Sequence, residues 1–313
     1  MPKPAADLQL TKPMACNTNS PLPREKKPDW IKVRLPSDPV FWSTKGLVDD
    51  LKLHTVCEEA QCPNRWECWS SGTATFMIAG DRCTRACGFC AVKTAKPFPL
   101  EADEPQRVAE ATKRLGLKHV VITAVARDDV ADGGAEHFAQ TVLATKDANP
   151  GIVIEILVPD FNGKNDALEA CMASEPHIFN HNLETVERLT RLVRSRARYR
   201  RSLEVLKKAK EIAVCRGKNV AIKSGMMLGL GETEDEVCQA MDDLREHDVT
   251  VLTLGQYLRP SAKHLPVVEY IHPDQFVRLK SIAEEKGFRH VASGPLVRSS
   301  YHAADFKPEL DVM

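Results

Sequence analysis

From Lys118 onward the chain alternates between two hydrophobic patterns. Short, continuous apolar runs rich in β-branched residues occupy His119–Ala126, Gly151–Pro159, His177–Asn182, Asn219–Gly229 and Val249–Leu258. Unbroken runs of this kind suit strands covered on both faces of a parallel sheet, where the inside–outside alternation is lost. The stretches around them, Glu104–Leu115, Gly134–Ala148, Tyr199–Arg216, Glu232–His247 and Pro273–Lys286, have helical composition and length. Thr73–Ala79 adds one earlier strand. Six βα units running one way predict an α/β fold, a parallel β/α barrel that is partial and of (β/α)6 type, over residues 73–290. An N-terminal extension (30–72) and a C-terminal segment (291–313) are expected to cover it. Residues 1–29, dotted with prolines, read as a disordered leader, and 307–313 as a loose end.

Composition narrows the classes. Hydrophobic residues make up 43% of 313, enough for one large α/β domain or two small ones. Lysine plus arginine (43) equals aspartate plus glutamate (43), so net charge argues for no nucleic acid or other polyanion as partner. No apolar run approaches the roughly 18 residues of a membrane span, and no secretory h-region opens the chain. Asp7, Glu25 and a single arginine, Arg24, make the leader a poor transit peptide, so a cytoplasmic protein is expected. Ten cysteines without a secretion signal point to metal in a reducing compartment rather than to disulfides.

Those cysteines carry the chemistry. Cys83, Cys87 and Cys90 follow the first strand in C-x3-C-x2-C spacing, which puts them on the working face of a barrel, at the C-terminal ends of its strands. Three thiolates on a four-iron cluster leave one iron open. A structural zinc site wants four ligands, so a zinc knuckle would be one short, and buried free thiols are the other bland alternative. Cys57, Cys62 and Cys68, in C-x4-C-x5-C spacing, precede the barrel and must fold over one of its ends. Alone they would also suit zinc; beside the other triplet they suggest a second iron–sulfur cluster. Cys16, Cys171, Cys215 and Cys238 look incidental, and His181 and His264 read as structural.

The segment Asp81–Cys90 (DRCTRACGFC) resembles the signature of the radical S-adenosylmethionine (SAM) superfamily, with Phe89 in the aromatic position before the last cysteine. The two triplets together resemble the lipoyl synthase family. So do Pro28–Pro36, Thr123–Phe138, Glu155–Phe161, Phe179–Val186, Lys223–Thr233, Leu252–Pro260 and Gly294–Ala303, so that the likeness runs from about residue 28 to 305. This resemblance implies two 4Fe–4S clusters and SAM as cofactors. Cys83, Cys87 and Cys90 would hold the cluster that binds and cleaves SAM. Cys57, Cys62 and Cys68 would hold the other, which is consumed as sulfur donor, with Ser300 of the motif Arg298-Ser299-Ser300-Tyr301 as its fourth ligand. An alkoxide-like oxygen is a weak partner for soft iron, which suits a cluster that must come apart.

The implied reaction is radical insertion of two sulfurs at C6 and C8 of a protein-bound octanoyl-lysine. Implied partners are octanoylated lipoyl carrier domains (2-oxoacid dehydrogenase E2 subunits and the glycine cleavage H protein), an electron donor such as a ferredoxin or flavodoxin, and iron–sulfur carrier proteins, with no nucleic acid and no membrane. SAM needs polar contacts, and Thr123, Glu155, Asn180 and Lys223 are the strand residues expected to face the barrel mouth and supply them. Gly229 and Gly231 are expected to let the backbone approach SAM, and Gly88 to permit a tight turn. The run Arg188, Arg191, Arg194, Arg196, Arg198, Arg200 and Arg201 reads either as a solvated face or as a docking patch for an acidic carrier domain. Rival readings are another sulfur-inserting enzyme of the superfamily, of methylthiotransferase or biotin synthase type, and a non-enzymatic zinc-binding adaptor.

Overall fold

The apolar runs assemble into one sheet in the computed structural model, which describes residues 27–31, 39–70, 75–301 and 303–308. Most of the expected leader, with Cys16, lies outside the described residues, as do 309–313 of the expected loose end. In chain order the strands are β1 (His54–Thr55) and β2 (Thr75–Ile78). A separate ribbon of β3 (Arg82–Cys83) and β4 (Lys93–Thr94) comes next. The remaining strands are β5 (His119–Ala124), β6 (Val153–Leu157), β7 (Ile178–Asn180), β8 (Ala221–Leu228), β9 (Val251–Gln256) and β10 (His290–Gly294). The sheet runs β1-β2-β5-β6-β7-β8-β9-β10; β1 is antiparallel to β2 and every other pairing is parallel. Helices Glu104–Arg114, Ala135–Ala148, Asn165–Ala173, Tyr199–Cys215, Glu234–Glu246 and Pro273–Glu285 connect the parallel strands. This is the expected partial barrel.

Two elements go beyond the sequence reading. β10 is a further parallel strand where the barrel was expected to stop, and Asn165–Ala173 is a helix where none was assigned. The run HVASG has little β-branched character, so its strand comes from pairing with β9, from His290↔Val251 to Gly294↔Gly255, more than from local propensity. Elsewhere local signals match the elements. Thr233 and Glu236 form a capping box at the start of Glu234–Glu246, each side chain bonding the other's backbone N–H. The layer between sheet and helices is filled by Val120, Ile122, Ile154, Ile156, Phe179, Ile222, Leu252 and Leu254, all buried.

Inside the barrel one charged pair is sealed off. Lys223 Nζ lies 2.9 Å from Glu155, Asn180 Nδ2 donates to Glu155 Oε1 at 2.8 Å, and His119 Nε2 is 3.6 Å away. Burial pushes the Glu155 carboxyl up, but Lys223 and His119 outweigh it and hold the group below the usual carboxylate range. Lys223 is the third residue of the eight in β8. Its register partner on β7 is Asn180, the last residue of that strand, so Lys223 lies level with the C-terminal end of β7 while β8 runs on past it.

The sheet does not close by strand pairing. No ladder joins β1 to β10 among the described residues. Instead, the chain after β1 meets the chain after β10. Asn64 Nδ2 donates to the Leu296 carbonyl at 2.6 Å and Tyr301 Oη donates to Glu67 Oε1 at 3.0 Å. Asn64 is buried, and Trp69, close by on helix Arg65–Ser70, is fully buried beneath the stacked ring of Phe41. Gly255 of β9 makes room for the returning segment: a Cβ there would meet the Val297 carbonyl oxygen at 2.0 Å. A glycine inside a strand marks such a close backbone approach.

Two outcomes follow. Lys223→Met leaves a buried carboxylate without its cation and is expected to cost about 3–5 kcal/mol at pH 7, read from urea unfolding. Because the folded pKa of Glu155 is depressed, the wild-type pair contributes fully above about pH 5, and its contribution is lost as pH falls through the carboxylate range. The gap between variant and wild type therefore narrows on acidification; a constant gap would show that the pair is not ionised. Gly255→Ala is expected to destabilise by about 1–3 kcal/mol through overpacking and to raise amide hydrogen exchange at 296–301. Unchanged exchange there would disprove the seat.

Candidate active site

Cys57 sits in the short helix Val56–Glu59, capped by the Thr55 side chain, and is buried. Cys62 follows in the loop and Cys68 in helix Arg65–Ser70, tied together by backbone bonds from Cys62 N to Cys57 O and from Cys68 N to Asn64 O. The three thiols lie within electrostatic reach of one another. Burial pushes Cys57 up to about 11, with Cys62 adding to it; burial pushes Cys68 up to about 12, with Cys57, Cys62 and Glu67 adding. Burial also raises Cys62, against the opposing pull of Arg298 and Arg65.

The second triplet lies on the loop after β2, on the ribbon and turn that cross the barrel mouth. Cys83 ends β3, and the Arg85 N–H donates to its Sγ at 3.4 Å. Burial pushes Cys90 up to about 12, with Cys87, Cys83 and Glu184 adding. Three anchors hold this loop. The Gly88 N–H donates to Val193 O, the Leu265 N–H donates to Gly88 O, and His264 Nε2 bonds the Cys90 carbonyl at 2.9 Å. Gly88 lies in the expected turn, closed by the Cys90 N–H donating to the Cys87 carbonyl at 3.2 Å, and it also yields space: a Cβ would meet the Leu265 side chain at 2.9 Å.

Arg85 fixes the loop to the barrel. It donates bidentately to Asp128 at 2.9 and 2.8 Å, reaches Asp160 at 2.7 Å and bonds Asn162 at 3.1 Å. Burial pushes the Asp160 carboxyl up, but the Arg85 charge outweighs it and holds the group low. The Arg85 hydrogen bond likewise holds Asp128 low.

Between the two triplets lies the turn Arg298–Tyr301. Arg298 NH1 donates to its neighbour's carbonyl, Val297 O, at 2.6 Å; the guanidinium feels the Cys62 thiol, and burial lowers its pKa. Ser299 Oγ accepts from Asn182 Nδ2 at 2.7 Å, and the same amide reaches Glu184 Oε1 at 3.1 Å. Asn182 Oδ1 has no partner in this buried setting. Glu184 carries a left-handed backbone (φ 67°), held by bonds to Gly225 and Met227 of β8. Such conformations are costly away from glycine and cluster at functional sites. Ser300 is half-buried, between Ser299, which bonds the barrel, and Tyr301, which bonds the first triplet's loop.

The residues expected to contact SAM engage one another or the backbone. Glu155 and Lys223 pair with each other, and Thr123 Oγ1 donates to the Leu157 carbonyl at 2.8 Å. Asn180 bonds Glu155 through Nδ2 but keeps Oδ1 unpartnered. Gly229 makes room for its own chain: a Cβ there would meet the Glu269 carbonyl and Gln256 Nε2, each at 2.3 Å.

The arginine run is largely neutralised. Arg188 pairs with Glu236, Arg200 with Glu187 and Arg201 with Asp160; Arg196 approaches Asp128, and Arg194 is buried. Arg191 and Arg198 are exposed, with no ion pair among the described residues. His181 is structural as expected, buried and bonded to Val158 O and Ser202 Oγ. Sequence reasoning overlooked Arg85, Asp128, Asp160, Asn182, Glu184 and Arg298 as working parts. All but Arg298 needed the fold to show which long-range partner each one meets.

Each donor set offers three thiols, one short of the four ligands of a structural zinc site and enough to leave one iron of a four-iron cluster open. Among the described residues no three His, Cys, Asp or Glu side chains converge tightly enough to hold one metal ion. Thiols on a four-iron cluster stand farther apart than ligands of one ion, while remaining within electrostatic reach as these do.

Comparison with known proteins agrees with this geometry. Residues 77–244 match the radical SAM superfamily model, and residues 9–62 match the N-terminal domain of lipoyl synthase. The lipoyl synthase of Oceanobacillus iheyensis is 58% identical over 279 residues, 89% of this chain and 88% of the relative. That of Halalkalibacterium halodurans is 54% identical over 288 residues, 92% of this chain and 94% of the relative. Among solved structures, Streptococcus suis SuiB bound to S-adenosylmethionine shares the fold with a TM-score of 0.53 at 14% identity, over 73% of this chain and 54% of that one. The chain belongs to the lipoyl synthase family of the radical SAM superfamily.

Proposed function

We propose that the chain inserts two sulfur atoms, at C6 and C8, into an octanoyl group amide-linked to a lysine of a lipoyl carrier domain. The observation that carries this reading is the Arg298–Tyr301 turn, bonded on one side to the barrel mouth beside Cys90 and on the other to the loop of Cys57, Cys62 and Cys68. Cys83, Cys87 and Cys90 are the ligands of the SAM-binding 4Fe–4S cluster; Cys57, Cys62, Cys68 and Ser300 are those of the auxiliary 4Fe–4S cluster. When bound, SAM and the first cluster supply a carbon-centred radical able to take hydrogen from unactivated carbon, and the second cluster supplies sulfur.

The chain's own contribution is positional. Arg85, Asp128 and Asp160 fix the three-cysteine loop, and the Arg298 guanidinium stands where the thiolates of the other triplet would put negative charge. Asn180 Oδ1 and Asn182 Oδ1, buried and unpartnered, are the acceptors left for SAM's donors. Thr123, Glu155 and Lys223, although candidates for direct contact, serve as the floor beneath it. Holding the alkyl chain against both centres in a site closed to water converts a reactive species into a selective one. The neighbouring sulfur-inserting families share this logic, but the match to the N-terminal domain of lipoyl synthase favours the octanoyl substrate.

The finer partners are E2 subunits and the glycine cleavage H protein as carriers, a ferredoxin or flavodoxin as electron donor, and iron–sulfur carrier proteins to rebuild the auxiliary cluster. Free thiols at both triplets suit a reducing, cytoplasmic setting.

Anaerobic incubation of reconstituted protein with SAM, dithionite and an octanoylated carrier peptide should add two sulfurs to the peptide, read by mass spectrometry. Cys57→Ala is expected to keep SAM cleavage and yield no thiolated peptide, whereas Cys87→Ala should lose both. Zinc in place of iron in anaerobically purified wild-type protein would overturn the reading.

A further inference from the structure

The reading above requires an electron to reach the Cys83–Cys87–Cys90 centre from outside, and it leaves open where the donor lands. One surface next to that centre is built unlike the rest. The ribbon strand β4 pairs with β3, Arg82↔Lys93 and Cys83↔Thr94, and the Ala95 N–H donates to the Cys83 carbonyl at 3.3 Å. The segment leaving β4 is therefore one hydrogen bond from a cysteine of the triplet. It continues as Lys96-Pro97-Phe98-Pro99 and lines a groove with Arg82, Arg127 and Asp129.

Phe98 is 61% exposed although the fold holds it firmly. Prolines on both sides restrict its backbone, and its carbonyl accepts from Arg127 NH2 at 3.0 Å. The Arg82 guanidinium lies 3.8 Å from the ring centroid and covers one face, leaving the other to solvent. An aromatic ring held outward in this way has no role in the core, and such rings mark contact surfaces.

Cations surround it. Lys93 and Lys96 are exposed, and among the described residues neither is ion-paired. Arg82 is ion-paired with Asp81 at 3.7 Å, and Asp129 is taken by Arg127. The charges of Lys93 and Lys96 are not neutralised from within.

We propose that the Lys93–Phe98 surface, with Arg82, is the landing site of an acidic one-electron carrier protein with a flavin or iron–sulfur group. Redox encounters use small interfaces with charge steering and a modest apolar centre, which fits one ring among three cations. In each encounter the carrier's reduced group loses one electron and the three-cysteine centre gains it, with no bond made or broken at the surface. Each lipoyl group requires two such visits, one per SAM. The inference rests on the proposed reaction, and the reductant separates the two. Dithionite needs no landing site; a protein donor does.

The test compares wild type with Lys93→Glu/Lys96→Glu and with Phe98→Ala, each reconstituted to equal iron content. Turnover is driven either by dithionite or by flavodoxin with its reductase and NADPH. Charge reversal is expected to lower kcat/KM for flavodoxin about tenfold or more at low salt, with the deficit shrinking as salt rises. Phe98→Ala should weaken flavodoxin-driven turnover at every salt concentration. Dithionite-driven turnover and the KM for the octanoylated carrier peptide should stay within about twofold of wild type, since only the donor's encounter is altered. Equal losses with both reductants, no loss with flavodoxin, or a raised KM for the carrier peptide would overturn the assignment. A wild-type protein that makes no thiolated peptide even with dithionite would instead count against the reaction itself.

Discussion

The structure depends on how an open sheet is closed. Among the described residues β1 and β10 are edges with no ladder between them, and the barrel is completed by side-chain bonds between the loop after one edge and the turn after the other. Open strand edges are a liability that proteins usually cover. Here the cover is also the candidate site. The loop that reaches across carries Cys57, Cys62 and Cys68; the turn it meets carries Arg298, Ser299 and Ser300. A fully paired barrel would have no gap in which to seat a second centre beside the mouth.

Charge is handled differently at two depths. Inside the barrel, Glu155 and Lys223 neutralise each other. At the mouth, Arg85 binds two aspartates from different strand ends and so locks the three-cysteine loop, while Arg298 is half-buried within electrostatic reach of the Cys62 thiol. A cation drawn partly out of water is costly unless something anionic stands near it. Arg85 is thereby tied to the scaffold, whereas Arg298 faces the candidate site.

Much of this was readable from local sequence. The apolar runs, the helical stretches between them and the two cysteine spacings concern residues near one another in the chain, and each appears in the structure much as expected. β10 and helix Asn165–Ala173 were missed because pairing and packing, more than composition, make them. Gly88 sits in the turn expected of it, but that it also yields space to Leu265, and Gly229 to Glu269 and Gln256, needed the fold to be seen. The arginine run suggested a docking face because its partners, Glu236, Glu187 and Asp160, lie on elements that only the fold brings near.

By itself, the sequence determined the class of fold and the grouping of thiols in threes, since strand period, helix period and ligand spacing are all short-range properties. Tertiary structure decided which polar groups are spent on one another and which remain for a ligand. It also decided that a turn near residue 300 would meet a loop near residue 65. Those outcomes depend on the curvature and incomplete closure of the barrel, a property of the whole sheet that no stretch of a few residues contains.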